Sequence, residues 1–416
     1  MKKNQKEWQE VRLGDIVYFN PTEKLIKGNN YKKISMDCLI PKTRKIENYE
    51  INIFNGGSKF RNGDTLMARI TPCLENGKTA QVSILEENEI AFGSTEFIVL
   101  REKENISDNN FIYYLFNTDY IRNIAIKSMT GTSGRQRVQE DVLKNLIIKL
   151  PPLEEQKKIA SILSSLDDKI ELNNRMNKIL EDMAQTIFKE WFVNFNFPNE
   201  EGKPYKDSGG KMIESELGNI PEGWKVGIIK DISKEVICGK TPPTKDEENY
   251  GDYMPFITIP DMHNNTFIIK SERYLSNKGV NTQINKTVPE NSICVSCIAT
   301  VGLVSLTSEN SQTNQQINTI IPKKDISSYW VYFYMKNISN IIINYASGGT
   351  TTLNLNKSLF EKINIIIPEI SILVTFNNNI KSIFDMIKSN QIENQKLASI
   401  RDTLLPRLMS GEIRVK

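Results

Sequence analysis

Residues Leu153–Phe192 read LEEQKKIASILSSLDDKIELNNRMNKILEDMAQTIFKEWF. The stretch has neither Pro nor Gly and is rich in good helix formers. Apolar residues return at helical spacing, at Ile159, Ile162, Leu166, Ile170, Leu180, Met183, Ile187 and Trp191, with charges on the other face. At ~1.5 Å per residue such a helix is roughly 60 Å long. The usual globular helix has only about a dozen residues. A helix that long with one apolar stripe calls for a partner helix.

Ile370–Met409 supplies the partner. At a shift of 217 residues the stripes coincide: Ile159 falls on Phe376, Ile170 on Ile387, Leu180 on Leu397, Ile187 on Leu404 and Trp191 on Leu408. The polar breaks coincide too, Asn173 with Asn390 and Asn177 with Asn394. Matching stripes with matching interruptions predict one antiparallel coiled-coil pair, rather than two unrelated core helices. Under a pseudo-two-fold, Asn173 approaches Asn394 and Asn177 approaches Asn390, fixing register at a cost in stability.

The repeat extends beyond the helices. Trp8–Ile16 matches Trp224–Ile232, the loop Gly131–Arg137 matches Ser347–Thr352 and its neighbours, and Pro151 matches Pro368. A period this long means a duplicated unit, not a solenoid. The expected plan is a globular unit over 1–152, a helix over 153–193, a linker over 194–223, a second globular unit over 224–368 and a helix over 369–416. Both units read as mixed α+β: short apolar runs such as Thr65–Ile70, Phe97–Leu100, Ser292–Ile298 and Gln316–Ile321 alternate with turn signals. Helices are expected at Asn110–Asn117, Asp119–Lys127 and Ser328–Tyr345. The linker, with Pro, Gly and charge but little periodicity, reads as a surface connection.

Composition excludes some classes. The 416 residues allow two or three domains. The net charge of +3 is compatible with nucleic acid without arguing for it. Five scattered Cys fit reduced thiols in the cytosol. The lone pair Cys294 and Cys297, with His263 the one histidine in the chain, makes a poor zinc set. The start lacks a signal-peptide core, and no apolar run reaches the ~20 residues of a membrane span. The Walker phosphate loop is missing, as are the Asn/Asp-Pro-Pro-Tyr/Phe motif of amino-methyltransferases and a nuclease-like acidic cluster. No catalytic residue, metal or cofactor is expected.

The polar candidates point to nucleic acid. Lys24, Lys27, Lys32, Lys33, Lys42, Arg44, Lys45, Lys59 and Arg61 form a basic set suited to tracking phosphates, or simply a solvated face. Arg135 and Arg137, with Thr350 and Thr351 in the matching loop, offer charge, hydroxyls and backbone N–H groups to phosphate oxygens. Thr241, Lys245, His263, Asn264 and Asn265 lie near strand ends and could bond base edges, although Asn and Thr also cap turns constantly.

The whole chain resembles the specificity subunit of type I restriction–modification systems. The resemblance is carried by Trp8–Ile16, Leu150–Ile159, Trp191–Phe195, Lys211–Trp224, Ala68–Lys78, Thr300–Gly302 and Asn314–Gln316. It implies two target-recognition domains, each reading one half of a split sequence in double-stranded DNA. It also implies docking of two methyltransferase subunits on the helices, with restriction subunits in the full complex. Catalysis would then belong to those partners, in the cytoplasm. A duplicated protein-binding adaptor on a coiled coil, with no DNA role, is the rival reading. A nuclease fused to a reader is a third.

Overall fold

The computed structural model describes residues 7–132, 134–347 and 353–415. Two compact bodies emerge, one formed by residues 1–170 with 396–416, the other by residues 171–395.

The first body opens with β1 (Gln9–Arg12) and β2 (Val17–Phe19). Then come β3 (Asn30–Ile34), β4 (Glu50–Ile53), β5 (Ser58–Phe60), β6 (Thr65–Ala68), β7 (Thr79–Gln81), β8 (Ala91–Gly93) and β9 (Phe97–Glu102). Helices α1 (Asn109–Phe116), α2 (Asp119–Lys127) and α3 (Glu140–Lys144) follow, then β10 (Ile147–Leu150). One sheet has the order β2-β9-β6-β7, a second β4-β3-β8-β5, and β1 pairs with β10. Asp108 and Thr118 cap the two longer helices by accepting from Phe111 N and Ile121 N, satisfying end donors that would otherwise be orphaned. The apolar faces of α1 and α2 close over the first sheet, where Phe111, Tyr114, Phe116 and Ile121 are buried.

The second body repeats this plan. A hairpin, β11 (Met212–Ser215) and β12 (Gly218–Pro221), precedes β13 (Lys225–Ile228), β14 (Ser233–Cys238) and β15 (Tyr250–Ile257). After them come β16 (Phe267–Ile268), β17 (Arg273–Leu275), β18 (Ile293–Ser296), β19 (Val304–Thr307), β20 (Gln312–Thr313), β21 (Ile317–Pro322) and β22 (Asn364–Ile367). Its main sheet runs β14-β21-β18-β19-β16, the counterpart of β2-β9-β6-β7 with one strand added. The parallel pair β3–β8 recurs as β15–β20, and the antiparallel pair β1–β10 as β13–β22. The duplication seen in the sequence is therefore a duplication of topology.

The long helices are α4 (Leu153–Phe192) and, at the C-terminus, α7 (Ile370–Met409), each of 40 residues. They pair antiparallel within each body. In the first, Asp167 on α4 meets Arg401 on α7 at 2.6 Å. In the second, Asn173 meets Asn394 at 2.9 Å and Asn177 meets Asn390 at 2.8 Å. Leu373, Phe376, Ile380, Phe384 and Ile387 form the buried stripe of α7. The expected stripe of α4 needs correction at two places. Ile162 and Met183 are exposed, and Leu163, Ala184 and Phe188 take the buried positions instead. The helix packs against a globular body as well as its partner, so its apolar face is wider than a coiled-coil seam.

Two further differences are local. The helix expected over Ser328–Tyr345 is broken into α5 (Ser328–Asn337) and α6 (Ser339–Ala346). The break falls at Ile338, which carries none of the side chains that mark a helix boundary. The segment 194–223, expected as a plain surface connection, carries the β11–β12 hairpin and a stack in which Phe197 lies between Tyr205 and Trp224, with centroids 4.6 and 5.2 Å away.

Candidate nucleic-acid interface

In the first body the candidate surface begins where β2 ends. Asn20 turns the chain through a left-handed conformation (φ 51°), and its Oδ1 accepts from Val99 N at 2.9 Å. The loop that follows is tied down at Glu23. Arg101, buried on β9, grips Asp64 with two bonds of 2.6 and 2.7 Å and donates to Glu23 at 2.6 Å. Burial opposes the guanidinium charge, but the two carboxylates more than offset it and hold Arg101 above its ordinary pKa. Lys59 reinforces the anchor by donating to the Glu23 carbonyl at 2.6 Å. Beyond it, Lys24 and Lys27 project as exposed side chains, and Arg61 is exposed as well.

The basic set is therefore divided. Lys32 is engaged, 2.9 Å from Glu89 and over the Tyr49 ring. Lys33 is half-buried, and Lys59 holds the loop. These three support the surface more than they face outward.

The Gly131–Arg137 loop is also more self-contained than its composition suggested. Thr130 and Arg137 exchange both backbone bonds, at 3.0 and 2.9 Å, and Arg135 N donates to Thr132 O. The N–H groups expected for phosphate are thus partly used within the loop. Arg137 is held by Glu96 through a forked contact, and the hydrogen bond from Arg137 keeps the Glu96 carboxyl below its ordinary range. Arg135 is exposed. Thr350 and Thr351 lie outside the described residues.

In the second body Thr241 and Lys245 lie on the loop after β14, and His263, Asn264 and Asn265 on a turn beyond β15. The structure places these groups on different parts of the sheet. Thr241 bonds Gln315 at 2.6 Å near β21. The turn instead rests on β19, where Ser305 Oγ donates to the Met262 and Asn265 carbonyls. Asn265 Nδ2 donates to Asp261 O at 3.0 Å, as a turn-capping residue does, while Asn264 takes a left-handed conformation (φ 59°). Lys245, His263 and Asn264 are exposed.

Cys294 and Cys297 are buried, and burial pushes both thiols up to about 12, so they sit in the core as small apolar groups. Among the described residues no three His, Cys, Asp or Glu side chains are grouped to hold a metal. No helix among them is long and apolar enough to cross a membrane.

The anchors escaped sequence reading. Arg101, Asp64 and Glu23 lie 37 and 78 positions apart, so no local motif joins them. The one available signal was a charged residue at the end of an otherwise apolar strand, Phe97–Glu102.

Comparison with known proteins bears on both bodies. The family model described as "Type I restriction modification DNA specificity domain" matches twice, over residues 5–182 and 221–402. The specificity subunit of the type I restriction enzyme HindI from Haemophilus influenzae is 37% identical, over 98% of this chain and all of its own length. The MjaIX specificity subunit of Methanocaldococcus jannaschii is 31% identical over 74% of this chain and 70% of its own. In fold, the chain is similar to the crystal structure of a type I restriction–modification S subunit from M. genitalium. The two share a TM-score of 0.56 and 14% identity over 98% of both chains.

Proposed function

The chain belongs to the family of type I restriction–modification specificity subunits, and on that premise we propose that each of its two bodies reads one half of a bipartite site in double-stranded DNA. The observation that carries this reading is the double match of a DNA specificity domain, over residues 5–182 and again over residues 221–402, each span taking in one strand-rich unit and most of the long helix that follows it. In the first body Lys24, Lys27, Arg61 and Arg135 approach phosphates. In the second, Lys245 serves phosphates, and His263 and Asn264 face base edges.

The helices act as a spacer between readers. Faces of duplex DNA recur about every 34 Å, so two readers on one face need a rigid separation of that order. The middle of α4 also offers a docking stripe. Leu172, Met176, Ile179 and Met183 recur at helical spacing and are exposed, Ile179 by 60%. An exposed apolar row of this kind marks a protein contact, and here it receives the methyltransferase subunits. Restriction subunits join the full complex, and catalysis resides in those partners, in the cytoplasm.

Replacing residues 224–367 with the equivalent unit of another specificity subunit tests the reading. Methylation mapping of cells carrying the hybrid should show one half of the site changed and the other kept. Changes in both halves would refute modular reading. Binding of the assembled complex to duplex DNA should fall steeply with salt, whereas a protein-binding adaptor would show no such DNA affinity.

A further inference from the structure

Gln315 lies in the loop that enters β21. Its neighbours engage each other: Asn314 Nδ2 donates to Gln316 Oε1 at 3.0 Å, and Gln316 N donates to Asn314 Oδ1 at 3.0 Å. Gln315 turns outward and is exposed. Its Oε1 accepts from Thr241 Oγ1 at 2.6 Å. With the carbonyl oxygen accepting from Thr241, the two N–H donors of this exposed carboxamide are left for a ligand.

The pair stands on a rigid base. Gly239 N donates to Ile317 O at 3.1 Å and Lys240 N to Thr313 O at 2.9 Å. A Cβ on Gly239 would run into the backbone of Thr313 and Asn314, so only Gly lets the loop lie this close. Below, the buried Gln283 donates to the Lys240 carbonyl at 2.7 Å and to Gln312 Oε1 at 2.8 Å, while Gln312 Nε2 donates to Thr287 Oγ1 at 3.0 Å. A free surface glutamine would lose rotamer freedom on binding; here its orientation is set in advance. The corresponding loop into β9 ends in Glu96, which Arg137 occupies. The strand pairings align Glu96 with Gln316, so the position of Gln315 is held in the first body by Thr95.

We propose that Gln315 contacts a base in the half-site of the second body, donating from its carboxamide to an acceptor on the base edge, with Thr241 as its positioning residue. The inference rests on the second body being a DNA reader. Amide donors suit purine N7, guanine O6 or thymine O4, whereas a carboxylate at the same place would accept from cytosine N4 or adenine N6.

The test uses the assembled complex with its methyltransferase subunits and a DNA library randomised in both half-sites, scored by methylation. Gln315→Glu should move the preference at one position of one half-site from an acceptor-bearing to a donor-bearing base, roughly tenfold. Gln315→Ala should relax that position. Thr241→Val, isosteric but without the hydroxyl, should weaken the same position, and Thr241→Ser should retain it. The other half-site should not move in any variant. Gln315 is exposed, so equal thermal midpoints should accompany these changes. Unchanged preferences in both Gln315 variants would overturn the inference, and so would changes spread over both half-sites. Exchange of residues 224–367 separates the two levels. If it alters one half-site while the Gln315 variants do not, the contact is wrong and the reading stands. If the exchange alters nothing, the reading itself falls.

Discussion

Asp167 and Glu181, both on α4, tie that helix to the two bodies through buried charge. In the first body Asp167 Oδ1 accepts from Arg401 Nη1 and Oδ2 from Tyr114 Oη, each at 2.6 Å. Burial alone would depress the Arg401 cation, but Asp167 and Asp402 hold it charged. Removing one member strands the other. Asp167→Ala should therefore destabilise the first body by about 3 kcal/mol, read as an earlier midpoint in chemical denaturation. A loss under 1 kcal/mol would mean the pair is solvated. In the second body Glu181 accepts from Tyr332 at 2.7 Å, from Thr266 at 2.9 Å and from Lys336 at 2.5 Å. Burial would raise its carboxyl, but Lys336 and the hydrogen bonds prevail and lower it below its ordinary 4.5. The unfolded chain therefore takes up this proton first as pH falls. The stability Glu181 contributes is present above pH 4.5 and is lost as pH drops through the lower folded value. Glu181→Gln should flatten that acid-side loss in a pH series of thermal unfolding; an unchanged slope would contradict the assignment. None of these partners was legible in the sequence. Tyr332 and Lys336 lie 151 and 155 positions from Glu181, and charges at such separations carry no periodic signal. The exposed basic residues were legible as a set, but not which of them the protein itself engages.

At the level of elements, the helices were the most legible part, because an apolar stripe over 40 residues leaves few alternatives. The Asn positions followed from the repeat. Asn173 is fully buried and donates to Asn394 and to Glu393, and Asn390 donates to Asn177. Paired amides lose their bonds if one helix slides, so they penalise slippage more than they stabilise. Replacing Asn173, Asn177, Asn390 and Asn394 with Leu should raise the denaturation midpoint while loosening register, seen as a broader range of tolerated gaps in the DNA site. Unchanged cooperativity together with an unchanged gap would count against a register role. The proposed docking stripe makes a separate demand. Ile179→Lys puts a charge on its most exposed member and should reduce co-purification of methyltransferase subunits without moving the thermal midpoint. Full retention would place the docking surface elsewhere. What the stripe could not reveal was the helix's rotation, since periodicity alone does not tell Leu163 from Ile162 when both a body and a helix are neighbours.

For the molecule as a whole, the match of Trp8–Ile16 with Trp224–Ile232 made one plan built twice legible in the sequence, and the two main sheets share the order of four strands, the second adding a fifth. The segment before the second unit was harder to read. Its order comes from aromatic stacking around Trp224, which needs tertiary neighbours, not periodicity. On the proposed reading, paired helices hold the two readers apart, so helix length sets the gap in the DNA site. Four residues inserted at matched positions of both α4 and α7 add roughly 6 Å of helix, about one or two base pairs of duplex at 3.4 Å each. Methylation mapping of the lengthened protein should show both half-sites intact and the gap longer by that amount. An unchanged gap with methylation retained would contradict the account.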